Sequence, residues 1–233
     1  MRKIEERLLH RFIQSGPGSQ KTLLRNNIVL LAVLLIMIFL MPVIPFETRI
    51  ITRILLVMLV LSGLFAAEFS RSLFRILFVF AAGLITVNVL GVFFDQSDSL
   101  SYLTFSLNTL FFVLITIALV TQVAGSSEVK TSTLLCAVNS YLLIGLSLSM
   151  LFILVELIVP GSFNIPDADE NSFSIFLYYG FVTLTTLGYG DILPLTPLAR
   201  SMASFTALFG QLYLVTIMAF LIGKYLNTKN PDS

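Results

Sequence analysis

Six apolar runs occupy most of the 233-residue chain. As a helix, each run would be about as long as a bilayer is thick. They cover residues 27–41, 49–69, 72–94, 100–123, 133–159 and 198–226. About 20 apolar residues cross a bilayer core as a helix, and the first run approaches this length only by extending to residue 44. With 57% hydrophobic and 12% charged residues, the composition excludes a soluble globular domain and a disordered chain. The runs predict an all-α membrane protein with six transmembrane helices, the alternative being a re-entrant first segment.

The stretch of residues 185–191, Thr-Thr-Leu-Gly-Tyr-Gly-Asp, lies between the last two runs. An ordinary strand points its carbonyl oxygens alternately to opposite sides, whereas repeated left-handed dihedrals bring them to one side. Glycine adopts such dihedrals without steric cost, which explains Gly188 and Gly190. A row of carbonyl oxygens can replace the water shell of a monovalent cation. One strand cannot surround an ion and the sequence has one copy, so four chains around a common axis are implied.

A short helix is predicted before this stretch, beginning at Asn171 or Ser172 and running to about Thr185. Its carbonyl end is the negative pole of the helix dipole and would point at a cation held beneath the carbonyl row. Thr185 supports the junction of helix and loop, and Thr186 can add a hydroxyl at the inner end. The order of long helix, short helix, loop and long helix therefore predicts a re-entrant pore for cations.

These features resemble the pore signature of potassium channels, and the resemblance covers residues 134–225. It implies a homotetrameric ion channel with a selectivity filter that binds K⁺ through backbone carbonyls. The filter residues that it implies are Thr186, Leu187, Gly188, Tyr189 and Gly190, the first four being K⁺ ligands. Leu187 replaces the more common valine or isoleucine, which leaves the carbonyl unchanged and alters the packing behind the filter.

The resemblance also implies residues that support the filter. Tyr178 and Tyr179 match an aromatic pair that packs around the filter, and Tyr189 matches the filter tyrosine that faces this cuff. Asp191 matches an aspartate at the outer mouth. Val182 stands where some bacterial members have a glutamate that hydrogen-bonds behind the filter, so the resemblance implies that this brace is missing here.

Six spans with the pore last resemble the layout of voltage-gated cation channels, which place basic residues at every third position of the fourth span. Residues 104–121 of the fourth run contain no Lys or Arg, so a voltage sensor of that type is not expected. Gly210, midway along the last run, is a candidate gating hinge, with close helix packing as the alternative. We divide the chain into an amphipathic N-terminal segment (1–26), a four-helix domain (27–132), a pore domain (133–226) and a short tail (227–233).

The positions of Lys and Arg predict the orientation, because basic residues stay on the cytoplasmic side. With both termini cytoplasmic, eleven of the fourteen basic residues lie on that side, and only Arg49, Arg53 and Arg200 lie on or near the other. This predicts a multi-pass protein of the plasma membrane. Arg49 and Arg53, like Arg71 and Arg75, are four residues apart and are expected to snorkel towards lipid headgroups. The alternative is an ion-pair cluster or a site for anionic membrane lipids.

Three polar residues lie within or at the end of the runs, namely Asn88, Asn108 and Glu156. Inside a membrane such side chains favour hydrogen bonds between helices over ion binding. For Glu156, near the outer end of the fifth run, bracing of the outer pore is the alternative.

The same features separate several classes of function. A K⁺-selective channel is favoured, and a non-selective cation channel is its closest rival. A K⁺ transporter subunit usually carries four degenerate filter copies in one chain. An enzyme needs a nucleophile with a base, or metal ligands, whereas His10 is the only histidine and Cys136 the only cysteine. We therefore predict no enzymatic activity and no cofactor apart from K⁺ as the permeant ion. The basic residues are dispersed and terminal, and we predict no nucleic-acid partner.

Overall fold

The structure is a computed structural model, and it describes residues 20–43, 48–93, 98–126, 129–165 and 172–229. Residues 1–19 of the predicted amphipathic segment, which include His10, the predicted cap Asn171 and the end of the tail lie outside these residues. The described part contains seven α-helices: α1 (Gln20–Leu35), α2 (Thr48–Ala66), α3 (Arg71–Phe93), α4 (Asp98–Gly125), α5 (Thr131–Ile158), α6 (Ser172–Leu184) and α7 (Pro197–Lys229).

Helix α1 begins at Gln20, earlier in the chain than the apolar run that predicted it. It continues through a π-helical turn, Ile36–Leu40, and a 3₁₀ turn, Met41–Val43. Pro42 has no backbone N–H to donate, so the regular helix cannot extend through it. The proline end of this span was predictable, whereas the polar residues before the apolar run hid its beginning.

Five of the described helices are long and apolar enough to cross a bilayer, namely α1 with its continuation, α3, α4, α5 and α7. Helix α2 has 19 residues, and its apolar part, Ile50–Ala66, is shorter than these spans. At 1.5 Å per residue, α2 measures about 28 Å, close to a hydrocarbon core of about 30 Å. The prediction of an all-α, multi-pass membrane protein is therefore supported, and the count of six spans stays a prediction.

Helix α5 is the centre of the packing, because α1, α4, α6 and α7 all contact it. Sixteen of its residues are buried, spread around most of its circumference. Its Phe152 is fully buried, as are Phe176 of α6 and Phe111 of α4. Each buried aromatic side chain removes a large apolar area from solvent, which fixes α5 against its neighbours.

A buried polar cluster fastens α1 to α2 and α5. Asn27 donates from Nδ2 to the carbonyl of Ala66, at 3.1 Å. Its Oδ1 accepts from Asn139 Nδ2 at 3.0 Å and from Cys136 Sγ at 3.4 Å. Cys136 is buried, and it also donates a hydrogen bond. Polar groups within an apolar bundle need such partners, so the cluster fixes the rotation of α1 against the other two helices.

A second polar pair links α3 to α4. Asn88 and Asn108 are both buried, and Asn88 Nδ2 donates to Asn108 Oδ1 at 3.5 Å. The expectation that these two residues are hydrogen-bond partners between helices is confirmed.

Candidate functional site

The short helix α6 enters the bundle against α5 through two glycines. A Cβ atom at Gly180 would lie 2.0 Å from Oγ of Ser149, and one at Gly145 would lie 2.5 Å from the ring of Phe181. No side chain fits at either position, so α6 and α5 approach to backbone contact. Small residues allow this kind of approach between membrane helices.

The loop after α6 has an alternating backbone. Thr186, Gly188 and Gly190 have φ angles of +60°, +54° and +80°. Leu187 and Tyr189, between them, are not in the positive-φ region. Alternation of left- and right-handed conformations turns successive N–H groups towards one side of the chain. A positive φ is costly for threonine, which makes Thr186 the one strained non-glycine residue among those the structure describes.

Backbone hydrogen bonds show which side of the loop faces α6. Leu187 N–H and Gly188 N–H both donate to the carbonyl of Val182, at 3.0 and 3.3 Å, and Thr186 N–H donates to Thr183 at 3.0 Å. In a trans peptide the carbonyl points opposite to the N–H of the next residue, and none of the described bonds is cis. The carbonyls of Thr185, Thr186 and Leu187 therefore all point away from α6. Three successive carbonyl oxygens form a row on the open side of the loop.

The Val182 side chain is buried, and its carbonyl joins the loop to the helix. The resemblance to potassium channels leaves this position without a side-chain brace. In the structure, two backbone donors of the loop bind the Val182 carbonyl and connect the loop to α6. Thr185 reinforces the same turn, because its hydroxyl donates to the carbonyl of Phe181 at 2.8 Å.

The inner end of the carbonyl row meets α7. Thr186 is exposed in the single chain, and its Oγ1 accepts from Nε2 of Gln211 at 3.4 Å. Gln211 follows directly after Gly210, where α7 crosses the end of α6. Gln211 was not among the predicted site residues, although a lone amide within an apolar run was the available signal.

The two adjacent tyrosines of α6 face different surroundings. The Tyr178 hydroxyl donates to Oδ2 of Asp191 at 2.7 Å, which connects α6 to the end of the loop. This hydrogen bond lowers the pKa of the Asp191 carboxyl below its ordinary value, because it stabilises the carboxylate. Tyr179 is buried, with its ring centroid 4.9 Å from that of Phe152 and 5.3 Å from that of Phe163. Tyr178 thus contacts the mouth of the loop, and Tyr179 packs into an aromatic cluster behind it.

Glu156 organises the segment that follows α5. Its carboxylate accepts from the N–H groups of Gly161, at 2.7 Å, and Phe163, at 3.1 Å. Phe163 in turn forms an antiparallel bridge with Pro194, beyond the loop. Glu156 is therefore connected, through the segment of Phe163, to the segment after the loop. Bracing of the outer pore by Glu156 stays a prediction.

The same two segments are joined by further backbone bonds. Asn164 N–H donates to Leu193 O at 3.1 Å, and Leu195 N–H donates to Ser162 O at 2.7 Å. The Asn164 amide also donates to the carbonyl of Asp191 at 3.5 Å. The outer end of the loop is consequently held from both sides, by α6 through Tyr178 and by the segment after α5.

Gly210 lies against the end of α6. A Cβ atom at this position would lie 2.3 Å from the carbonyl oxygen of Leu184 and 2.8 Å from Leu184 Cδ1. Helix α7 continues through Gly210 from Pro197 to Lys229. Close packing accounts for a glycine here, and the role of gating hinge stays a prediction.

One face of α7 and the loop itself remain uncovered in the single chain. Tyr189 is 68% exposed, and Val215 of α7 is 67% exposed. Other apolar side chains of α7 that are at least half exposed are Phe205, Leu208, Leu212, Met218, Ile222 and Leu226. This apolar surface continues from the loop along most of the length of α7.

The loop with its carbonyl row thus follows a long helix, α5, and a short helix, α6, and is followed by a second long helix, α7. Residues 141–227 match the family model described as Ion channel. The match begins within α5 and ends within α7, so it includes the loop and every helix that holds it. It supports an ion channel, and hence a protein of ion transport, as predicted. No curated protein matches the chain, and no solved structure matches it.

Proposed function

We propose that the chain is a K⁺-selective channel that conducts passively through a backbone-carbonyl filter. The observation that carries the proposal is the row of carbonyls at Thr185, Thr186 and Leu187, which the hydrogen bonds to α6 turn to the open side of the loop. Neutral oxygens can replace the water of a K⁺ ion without holding it as tightly as a carboxylate would. The continuing alternation of φ at Gly188 and Gly190 extends the same pattern towards the outer mouth.

The K⁺ ligands that we propose are the carbonyls of Thr186, Leu187, Gly188 and Tyr189, with the Thr186 hydroxyl at the inner end. Five residues of extended chain, 186–190, measure about 16 Å, which accommodates several ions in file. The carbonyl end of α6 faces the inner end of this row and favours a cation there through its dipole. K⁺ is the permeant ion in this proposal, and no cofactor is required.

A homotetramer follows from the geometry of coordination. One chain offers oxygens on one side of an ion only, whereas a dehydrated K⁺ needs oxygens all around it. The exposed Tyr189 and the apolar face of α7 are the surfaces that four copies would cover. In this arrangement the filter strands surround the axis, and α7 lines the cavity below them.

We further propose six spans with α6 re-entrant, both termini cytoplasmic and insertion in the plasma membrane. The length of α2, about 28 Å, allows it to cross with slight thinning of the bilayer. Helix α4 has no Lys or Arg between residues 104 and 121. An electric field therefore has almost no charge to move in this helix, and conduction is expected to depend weakly on voltage.

Ion flux from liposomes tests the selectivity. Purified protein is reconstituted in vesicles loaded with K⁺ and diluted into Na⁺ medium, and a potential-sensitive dye reports the voltage. A K⁺-selective pore generates an inside-negative potential close to the K⁺ equilibrium value. Equal permeability to Na⁺ abolishes this potential and would replace the proposal with a non-selective cation channel.

A pair of glycine variants connects the result to the filter. Gly188 (φ +54°) and Gly161 (φ +78°) both have positive φ, and at neither would an added Cβ meet another atom of the chain within 4 Å. Alanine strains the backbone at both positions to a similar degree. Gly188→Ala is expected to abolish the K⁺ potential, whereas Gly161→Ala is expected to retain it. Loss of selectivity in both variants would mean that backbone strain in general, and not the filter, is responsible.

A further inference from the structure

A groove of about 500 Å³ lies between α1 and α2. Asn26 and Phe65 line one end, where Asn26 Nδ2 donates to the carbonyl of Phe65 at 2.9 Å. Val33 and Met58 line the groove further along both helices. Because the helices run antiparallel at this contact, the two ends of the groove are about 10 Å apart along the helix axes.

The two ends differ in chemistry. Arg25 belongs to the lining at the Asn26 end and is exposed. Within the described residues, its guanidinium makes no hydrogen bond or ion pair. The rest of the lining is mainly apolar, and Met58 and Leu61 are each almost half exposed. A cation at one end of an apolar groove matches a molecule with an anionic head and a hydrocarbon tail.

The charged end of the groove is next to the polar cluster that holds α1. Asn27 adjoins Asn26 in sequence and is buried, and it contacts Ala66 of α2 and Asn139 of α5. A ligand at Arg25 therefore binds the same turn of α1 that is hydrogen-bonded to the outer helix of the pore domain.

We propose that this groove binds an anionic phospholipid of the surrounding membrane, with its phosphate at Arg25 and an acyl chain along Met58 and Leu61. Arginine forms paired hydrogen bonds with phosphate oxygens, and a headgroup without its own cation leaves that charge free to interact. A free phosphate ion would occupy only the Arg25 end and leave the apolar lining empty, which favours a lipid. The proposal rests on the chain spanning a bilayer and is independent of ion selectivity.

The absence of tryptophan from the sequence provides a direct test. Leu61→Trp introduces a single fluorophore into the groove. Ile76→Trp introduces a fluorophore on α3, where Ile76 is 63% exposed. Ile76 and Leu61 are about equally far along the chain from the connection between α2 and α3. Each full-length variant is reconstituted in vesicles that contain brominated phosphatidylglycerol or brominated phosphatidylcholine, since bromine quenches tryptophan on contact. The ratio of quenching gives the relative affinity for the two lipids.

The expected result is a preference of about fivefold for phosphatidylglycerol at Leu61→Trp, the factor associated with one basic side chain at an anionic membrane surface. When Arg25→Gln is added to Leu61→Trp, the preference is expected to disappear, with a ratio of about one. When Arg71→Gln is added instead, the preference is expected to stay unchanged. The Ile76→Trp fluorophore is expected to show no preference that depends on Arg25.

Four outcomes would overturn the proposal. The first is equal quenching of Leu61→Trp by the two lipids, and the second is a preference that survives Arg25→Gln. The third is displacement of the lipid by inorganic phosphate. The fourth is that neither lipid quenches Leu61→Trp while Ile76→Trp is quenched. The last outcome would mean that protein covers the groove, either residues 1–19 or another copy of the chain. Should Leu61→Trp fail to reconstitute, native mass spectrometry of wild type and Arg25→Gln, each offered phosphatidylglycerol, compares the number of lipids bound. Equal numbers would likewise overturn the proposal.

Discussion

Replacing Gly210 with alanine tests how α7 is joined to the end of α6. The new Cβ would lie 2.3 Å from the Leu184 carbonyl oxygen, about 1 Å closer than an ordinary contact. A backbone oxygen cannot rotate away as a flexible side chain does, so α7 or the last turn of α6 must move. Because Leu184 ends the helix directly before the loop, the movement reaches the inner end of the carbonyl row.

The magnitude follows from two opposing terms. Overpacking of this kind costs about 3 kcal/mol at its upper range, while alanine gains about 1 kcal/mol over glycine within a helix. The net loss is about 2 kcal/mol, which for a chain of this size lowers the unfolding temperature by about 4–8 °C. Gly223 of the same helix has nothing within 4 Å of a Cβ position, so Gly223→Ala is the matched control. It retains only the helical gain and is expected to raise the unfolding temperature by about 2–4 °C.

Circular dichroism during heating in detergent measures both variants, and liposome flux measures their conduction. We expect Gly210→Ala to unfold earlier and to lose K⁺ selectivity or conduction. The packing argument is refuted if Gly210→Ala is as stable as Gly223→Ala. Greater stability together with lost conduction would instead favour a hinge at this position.

Three further predictions concern the outer mouth. Tyr178→Phe removes the hydrogen bond to Asp191 and is expected to make K⁺ flux decay during sustained conduction, as seen in flux time courses. The pKa of the Asp191 carboxyl is lowered, so the stability that its hydrogen bond provides is complete above about pH 3.9 and is lost as the pH falls further. The stability of the loop should therefore stay constant from about pH 7 to about pH 4 and decline below about pH 4. Glu156→Gln leaves one of the N–H groups of Gly161 and Phe163 without an acceptor and should cost about 2 kcal/mol in thermal unfolding.

Each of these predictions has a control within the chain. Tyr102→Phe removes a tyrosine hydroxyl from α4 and should leave the flux time course unchanged. Asp191→Asn cannot titrate and should remove the acid transition, whose persistence would assign it to another carboxylate. Glu68→Gln makes the same chemical change outside the pore domain, and an equal loss of stability there would contradict a specific brace by Glu156.

The features of the fold that depend on local sequence were predictable. A helix across a membrane needs only enough apolar residues, and the backbone of the loop needs glycine at alternate positions, so both can be read from short stretches. The rotation of each helix about its axis could not be read in this way. It places Tyr178 at the loop and Tyr179 in an aromatic cluster, and it depends on how α6 packs against α5 through Gly145 and Gly180.

Contacts between distant parts of the chain were also hidden. Asn27 bonds to Asn139 across more than a hundred residues, and the sequence shows only two amides within apolar runs. Asn88 and Asn108 were predictable as a pair because consecutive spans carry them. Gln211 was not predictable in the same way, since its partner, Thr186, is defined only when α7 is placed beneath the loop.

The two hydrogen bonds from the loop to the Val182 carbonyl affect which substitutions the loop tolerates. Two main-chain donors meet one main-chain acceptor there, and every amino acid except proline would bring the same donor to position 187, whereas the positive φ at position 188 favours glycine. The side chain at position 187 can therefore change while its hydrogen bond to Val182 persists. A loop anchored in this manner can exchange Leu187 for another apolar residue and keep the course of its backbone.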